Sequence, residues 1–386
     1  MKWASALSER TDTAAAVAEA AAALALQLGT DEPDLVLAFV SPHHAGSYDV
    51  VPAAIRAVFP RALLLGCSAS GVIGNGREVE ARPALSLTAA SLPGVRLRPL
   101  SFPAAVEGKV DPTRLGVNAA DDPHFLILCD PYSFDARALV TTLDAAFPSG
   151  RKVGGMASGG DHAGDNVLYC AGEIHQRGAV GVALTGDIAI DTIVAQGCRP
   201  IGTPLTITRA DGHIIRELNG KSPVDVLRET YESLDNSRDQ ELFRHSLFIG
   251  LELDSSAIEY QATDFLVRDM VGVDPSSGAI AVAANVRPWQ VMHFLLRDAR
   301  TAEHDLKAHL ERYRADTPAP AGALLFSCVG RGMHLFDRPD HDTDLFRARV
   351  GTLPLGGAFC NGQIGPVGAH TFLHGYTSAF GLFRHK

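Results

Sequence analysis

An apolar run that leads, one β-α-β length later, into a glycine-rich loop constrains this chain most, because the pattern occurs three times. Residues 35–40 are continuously apolar, 50–59 have a helical pattern, and Leu63-Leu64-Leu65 enters Gly66-Cys67-Ser68-Ala69-Ser70-Gly71. Residues 125–129 and a helical pattern at 136–147 lead through Val153 into Gly154-Gly155-Met156-Ala157-Ser158-Gly159. Near the end, 323–328 and 343–350 lead through Leu355 into Gly356-Gly357-Ala358-Phe359-Cys360-Asn361-Gly362. From strand end to glycine loop (Ser41 to Gly66, Asp130 to Gly154, Cys328 to Gly356) the spacing is 25, 24 and 28 residues. Short continuous apolar runs suit strands buried on both faces, and parallel neighbours need a crossover connection. Such spacing predicts repeated β-α-β-β units, with chance likeness among generic units as the alternative.

Strand-like pairs follow each loop, at 84–88 and 95–98, 167–170 and 179–184, and 371–373 and 379–383. A first helix is predicted over 13–28, with Gly29 as its stop. The predicted class is α/β, two halves built from repeated β-α-β-β units with mixed sheets. An α+β arrangement of the same elements is the alternative.

Residues 201–320 are less regular. Asp211-Gly212 marks a hairpin turn inside 205–215, and Ser222-Pro223 opens a helix. Strands are expected at 246–253 and 279–284, then a long polar helix over 289–314. Thr317-Pro318-Ala319-Pro320 reads as a linker and Arg199-Pro200 as a boundary, which divides the chain into 1–200 and 201–386.

Composition narrows the function. With 34 basic and 44 acidic residues the net charge is −10, and the basic residues are scattered. Neither nucleic acid nor an anionic membrane surface is an expected partner. Six cysteines at no ligand-like spacing make neither a disulfide framework nor a zinc site. The alanine-rich stretch 14–28 is interrupted by Glu19 and lacks a cleavage site, and no 18-residue apolar run exists. The expectation is a soluble, cytoplasmic protein without cofactor or metal. Glycine, 37 of 386 residues, gathers in the recurring loops.

In an open α/β sheet, ligands sit beyond the carboxyl ends of the strands, and glycine lets backbone N–H groups approach them. The plain alternative is that the loops are tight turns. They lack a Walker lysine, and Gly71-Val72-Ile73-Gly74-Asn75-Gly76 has the wrong glycine order for a dinucleotide site. No serine-hydrolase elbow occurs, since Gly66-Cys67-Ser68-Ala69-Ser70 ends in serine. Cys67 or Cys360 would serve as a nucleophile only with a lowered thiol pKa; buried or ligand-lining thiols are the alternative. His43-His44, His370 with His374, and the acidic run Asp340 to Asp344 do not assemble a convincing metal site. Arg331, between Gly330 and Gly332 at a strand end, suits bidentate capture of a carboxylate. An internal ion pair with an acidic neighbour fits it equally.

The segments 64–71, Cys328-Val329-Gly330-Arg331-Gly332, 355–366 and Phe372-Leu373-His374-Gly375-Tyr376-Thr377 resemble the FIST family, in both its N and C domains and over nearly the whole chain. The resemblance implies a sensory, small-ligand-binding module of bacterial signal transduction, also found in a eukaryotic F-box protein, with amino acids or their derivatives as proposed ligands. It implies a FIST N-like domain over 1–200 and a FIST C-like domain over 201–386. The residues expected to meet the ligand are Cys67, Ser68, Ser70, Ser158, Arg331, Cys360, Asn361, Gln363 and His374. The family often carries Glu where this chain has Gln363, which would alter ligand preference or make the position structural. No kinase, methyl-accepting, GGDEF or F-box segment is seen, so a stand-alone sensor with a separate signalling partner is expected. A cysteine-dependent enzyme and an interaction scaffold are the competing functions.

Overall fold

The computed structural model describes residues 1–103, 111–252, 265–316 and 319–386. They form two compact units, one of residues 1–194 with 307–386 and one of residues 195–306.

In the first unit one element order is traversed three times. The first pass is β1 (Lys2–Ser8), helix α1 (Thr13–Leu28), β2 (Leu35–Val40), α2 (Val50–Val58), β3 (Leu63–Ser68), the hairpin β4 (Gly71–Gly74) and β5 (Arg77–Glu80), and β6 (Leu85–Ser91). The second is β7 (Val95–Phe102), β8 (His124–Cys129), α3 (Ala136–Ala146), β9 (Lys152–Met156), the hairpin β10 (Leu168–Cys170) and β11 (Glu173–His175), and β12 (Ala179–Gly186). The third opens with β13 (Ala189–Ala195) and continues after residues 195–306.

The second unit contains β14 (Cys198–Asp211), β15 (Ile214–Leu218), α4 (Pro223–Glu232), α5 (Ser237–His245), β16 (Leu247–Glu252), β17 (Phe265–Asp274), β18 (Ala279–Val282) and β19 (Val291–Arg297). Its strands close a barrel in the order β14-β15-β18-β17-β16-β19 around Ile207, Ile215, Ile249 and Phe294. Arg199 and Pro200 lie within β14. The chain then runs through α6 (Ala299–Asp316), β20 (Gly322–Cys328), α7 (Gly332–Phe336), α8 (His341–Arg349), β21 (Leu355–Cys360), the hairpin β22 (Gln363–Val367) and β23 (His370–His374), and β24 (Ser378–Arg384). In chain order the barrel thus stands between the first two strands of the third pass, where the first pass has only α1.

Each pass supplies four strands to its own sheet and lends its hairpin to another. The sheet orders are β1-β6-β2-β3-β10-β11, β7-β12-β8-β9-β22-β23 and β13-β24-β20-β21-β4-β5. At the centre of each lies a parallel pair, β2 with β3, β8 with β9, or β20 with β21; every other pair with a described register is antiparallel. The architecture is mixed α/β with three mixed sheets. Because the hairpins pass cyclically between sheets, residues 307–386 belong to the same folded body as residues 1–194.

One face of each sheet packs on a shared core. Leu37, Phe39 and Leu65 come from the first, Leu126, Leu128 and Val153 from the second, and Leu324, Phe326 and Ala358 from the third. The other face of the first sheet is covered by Val17 and Leu24 of α1 and Val51 and Ile55 of α2; that of the second by Leu139 and Leu143 of α3. Burial of strands on both faces is why their sequences read as unbroken apolar runs.

The long polar helix expected over 289–314 is corrected. Residues 291–297 are β19, and the helix begins only at Ala299. The run Val291-Met292-His293-Phe294-Leu295-Leu296 is buried almost throughout and pairs with both β14 and β16, while Asp298 accepts the backbone N–H of Thr301 at 2.7 Å as the helix start. Strand β17 had no sequence expectation; its second half is largely exposed, with Val271 and Val273 at the surface. Residues 317 and 318 of the linker, and the end of the strand expected over 246–253, lie outside the described residues.

Candidate functional site

The three glycine-rich loops converge within the first unit, and one register builds them. Gly66, Gly154 and Gly357 stand opposite Ala38, Ile127 and Leu325 on the parallel neighbours. A Cβ at these glycines would lie 2.1, 1.8 and 1.9 Å from the carbonyl oxygen opposite, so the backbones approach more closely than any side chain allows. Four residues further on, at matching places, come Ser70, Ser158 and Asn361.

Those strand ends hydrogen-bond to one another in a ring. The backbone N–H of Ser158 donates to Ser68 O and that of Asn361 to Met156 O, both at 3.2 Å. Between the remaining two ends Ser158 Oγ acts as a bridge: it accepts from the Ser70 N–H at 2.8 Å and donates to Phe359 O at 2.6 Å. Gly155 packs on the Cys360 Sγ and Gly71 on the Phe359 ring, where a Cβ would stand 2.6 and 2.7 Å from those atoms. Of the three equivalent side chains, Asn361 is exposed, Ser70 is half-buried and Ser158 is buried.

The other expected ligand residues are all buried. Ser68 Oγ donates to Asn166 Oδ1 at 3.1 Å, and Asn166 Nδ2 donates to the fully buried Asp130 at 3.2 Å. Gln363 uses both ends of its amide, Nε2 donating to Cys360 O at 2.9 Å and Oε1 accepting from the Thr377 N–H at 3.3 Å. An ionised Glu there would lack the donor. His374 is buried on the Gly365 carbonyl at 3.0 Å.

Cys67 and Cys360 are wholly buried. Burial pushes the Cys67 thiol up to about 12 and raises Cys360 well above the ordinary thiol range. Neither has the electropositive, exposed surroundings that make a thiolate nucleophile. Native protein is therefore expected to show no Cys67 or Cys360 labelling by a mild thiol reagent until it unfolds, as read by peptide mapping. Fast labelling of either thiol would restore the nucleophile reading.

Arg331 lies beside this ring, at the end of β20. Its Nε and Nη2 donate to Asp342 at 2.8 and 2.9 Å, a bidentate pair in which both side chains are buried. Asp342 also accepts from His341 Nδ1 at 2.9 Å, from Ser327 Oγ at 3.3 Å and from Ser378 Oγ. Burial would raise the Asp342 carboxyl; the Arg331 charge and these hydrogen bonds overcome it and hold it well below the usual carboxylate range.

The hairpin β4–β5 latches onto the same region. Glu78 accepts the Thr343 N–H in the first turn of α8 at 2.8 Å, and Glu80 the Met333 N–H at the start of α7 at 2.9 Å. Burial, then the Asp342 charge, push the Glu78 carboxyl up to about 8. Glu78 thus binds a proton more tightly folded than unfolded. Its contribution is fully present below about 4.5 and is lost as pH rises towards 8. The melting temperature of wild type relative to Glu78→Gln is expected to fall across that window; parallel curves would contradict it.

Sequence reasoning did not single out Asp130, Asn166, Glu78 or Glu80. Asp130 had one signal, a carboxylate directly after an apolar strand; the others sit in hairpins and loops whose partners are distant in sequence.

Compared with known families, residues 34–221 match the FIST N domain and residues 223–366 the FIST C domain. The chain is 37% identical over 378 residues, 98% of each chain, to an uncharacterized protein of Mycobacterium tuberculosis. It is 36% identical over 374 residues, 96% of each chain, to one of Mycobacterium bovis. Among the described residues no helix is long and apolar enough to cross a membrane, and no group of three His, Cys, Asp or Glu side chains is placed to hold a metal ion. With both domains matched in order and nearly end-to-end relatives, the chain belongs to the FIST family of sensory, signal-transduction domains.

Proposed function

We propose that this chain is a cytoplasmic sensor that binds a small molecule, an amino acid or related carboxylate, at the loops carrying Ser70, Ser158 and Asn361, and signals to a separate protein. The observation supporting it is the convergence of three strand-end loops, which brings the Ser70 hydroxyl and the exposed Asn361 amide together at the carboxyl ends of parallel strands. In this reading the FIST N-like half, 1–200, supplies Ser70 and Ser158, and the C-like half, 201–386, supplies Asn361. Cys67, Ser68, Cys360, Gln363 and His374 shape the floor. Arg331, already held by Asp342, positions the loop at 329–332 and becomes a direct ligand contact only if the ligand carboxylate displaces Asp342.

Thermal shift against a panel of amino acids and organic acids tests this. A ligand at 100 times its Kd adds roughly 2.7 kcal/mol, a clear rise in Tm. At least one panel member is expected to stabilise wild type and to lose its effect with Asn361→Ala, whose side chain is exposed. Stabilisation by no member, or equal stabilisation of the variant, would sink the reading.

A further inference from the structure

A groove of about 460 Å³ lies at the opposite end of β3 from the loop cluster, between the C-terminal end of α2 and the β10–β11 turn. Its apolar lining is Pro60, Leu63 and the edges of the buried Ile55, Phe59 and Leu64, and its charged side chains are the exposed Arg56 and Arg61; no carboxylate lines it. Arg61 pairs with Glu32 at 3.2 Å, with both side chains largely exposed, a contact that water screens heavily. Arg56 enters no ion pair or hydrogen bond among the described residues.

The Arg56 side chain is exposed, with its guanidinium at the turn of the β10–β11 hairpin. It lies against Gly172, where a Cβ would stand 1.9 Å from Nη2, and Gly172 has φ +89° in the turn after Ala171. Glycine at that turn therefore leaves the space the guanidinium occupies. The groove thus joins a partly apolar lining to a bidentate-capable cation that has no carboxylate partner, on a chain of net charge −10.

We propose that this groove is a second ligand site, for a small carboxylate with an aromatic or branched aliphatic body. The carboxylate meets Arg56 and the body lies against Pro60, Leu63 and the exposed edge of Phe59. The volume is within the range of small-molecule pockets, and a guanidinium presents two parallel donors to a carboxylate. The helix C-terminus does not favour an anion, so the arginines have to outweigh it.

The test is NMR titration of the full chain with phenylacetate, with phenethylamine and acetate as controls. Phenylacetate is expected to shift the amides of residues 52–64 and 171–173 saturably. Phenethylamine should bind at least about tenfold more weakly for want of the ionic contact, and acetate for want of the apolar one. Arg56→Gln should cost roughly tenfold or more in phenylacetate affinity with Tm unchanged, and Gly172→Ala, which displaces the guanidinium, should act in the same direction. No shift at the groove, equal response to phenethylamine, or full affinity in Arg56→Gln would each overturn the proposal. These outcomes are independent of the loop cluster, whose residues the titration reads separately.

Discussion

Asp342→Ala is expected to destabilise the protein by about 3–5 kcal/mol, because it leaves the wholly buried Arg331 guanidinium without its bidentate partner. The same change removes the acceptor for His341, Ser327 and Ser378, so the loss falls on the whole connection from β20 to β21. In a body of this size that corresponds to a Tm lower by on the order of 10 °C. Arg331→Ala should be similarly severe, since it strands the carboxylate. The double change Arg331→Met with Asp342→Leu should recover part of the loss, because it removes both buried charges together. Chemical denaturation of all four proteins checks this; single variants within about 1 kcal/mol of wild type would mean the pair is not buried as described.

Gly154→Ala should be comparably damaging for a steric reason. The added methyl would sit 1.8 Å from the Ile127 carbonyl oxygen, and neither backbone can retreat without breaking the parallel pair β8–β9. A clash with backbone does not relax as one with a flexible side chain does, so a loss of about 3 kcal/mol or more is expected. The matching changes Gly66→Ala and Gly357→Ala face the same geometry at 2.1 and 1.9 Å. Gly46→Ala, with nothing within 4 Å of the new Cβ, is the control and should stay within about 0.5 kcal/mol of wild type. Urea midpoints decide it; three tolerated alanines would mean the close approach is not what positions the loops.

Much of this architecture could be read from residue patterns, and the reasons are local. The runs 35–40, 125–129 and 323–328 announce strands buried on both faces, and the loops beyond them announce their own ends through glycine. What escapes is pairing at a distance. The hairpin 71–80 follows the first glycine loop directly, yet it pairs with β21, some 280 residues later. No propensity encodes that exchange, which depends on three sheets sharing one core. Arg331 shows the same limit at the site. Its place between two glycines at a strand end was legible, but its partner Asp342 stands in an acidic run that reads equally well as a solvated helix start. β19 falls to a period ambiguity, because a seven-residue stretch with five apolar residues beside a polar helix reads as part of that helix. At Gln363 the sequence left two roles open, and the contacts made by both ends of the amide are those of a structural group.

Amide hydrogen exchange with and without the most stabilising panel compound tests most directly whether the converging loops hold the ligand. Added protection is expected at residues 69–71, 157–160 and 361–363, with little change in the barrel of residues 195–306. Protection confined to the barrel, or absent from all three loops while the compound still raises Tm, would contradict it.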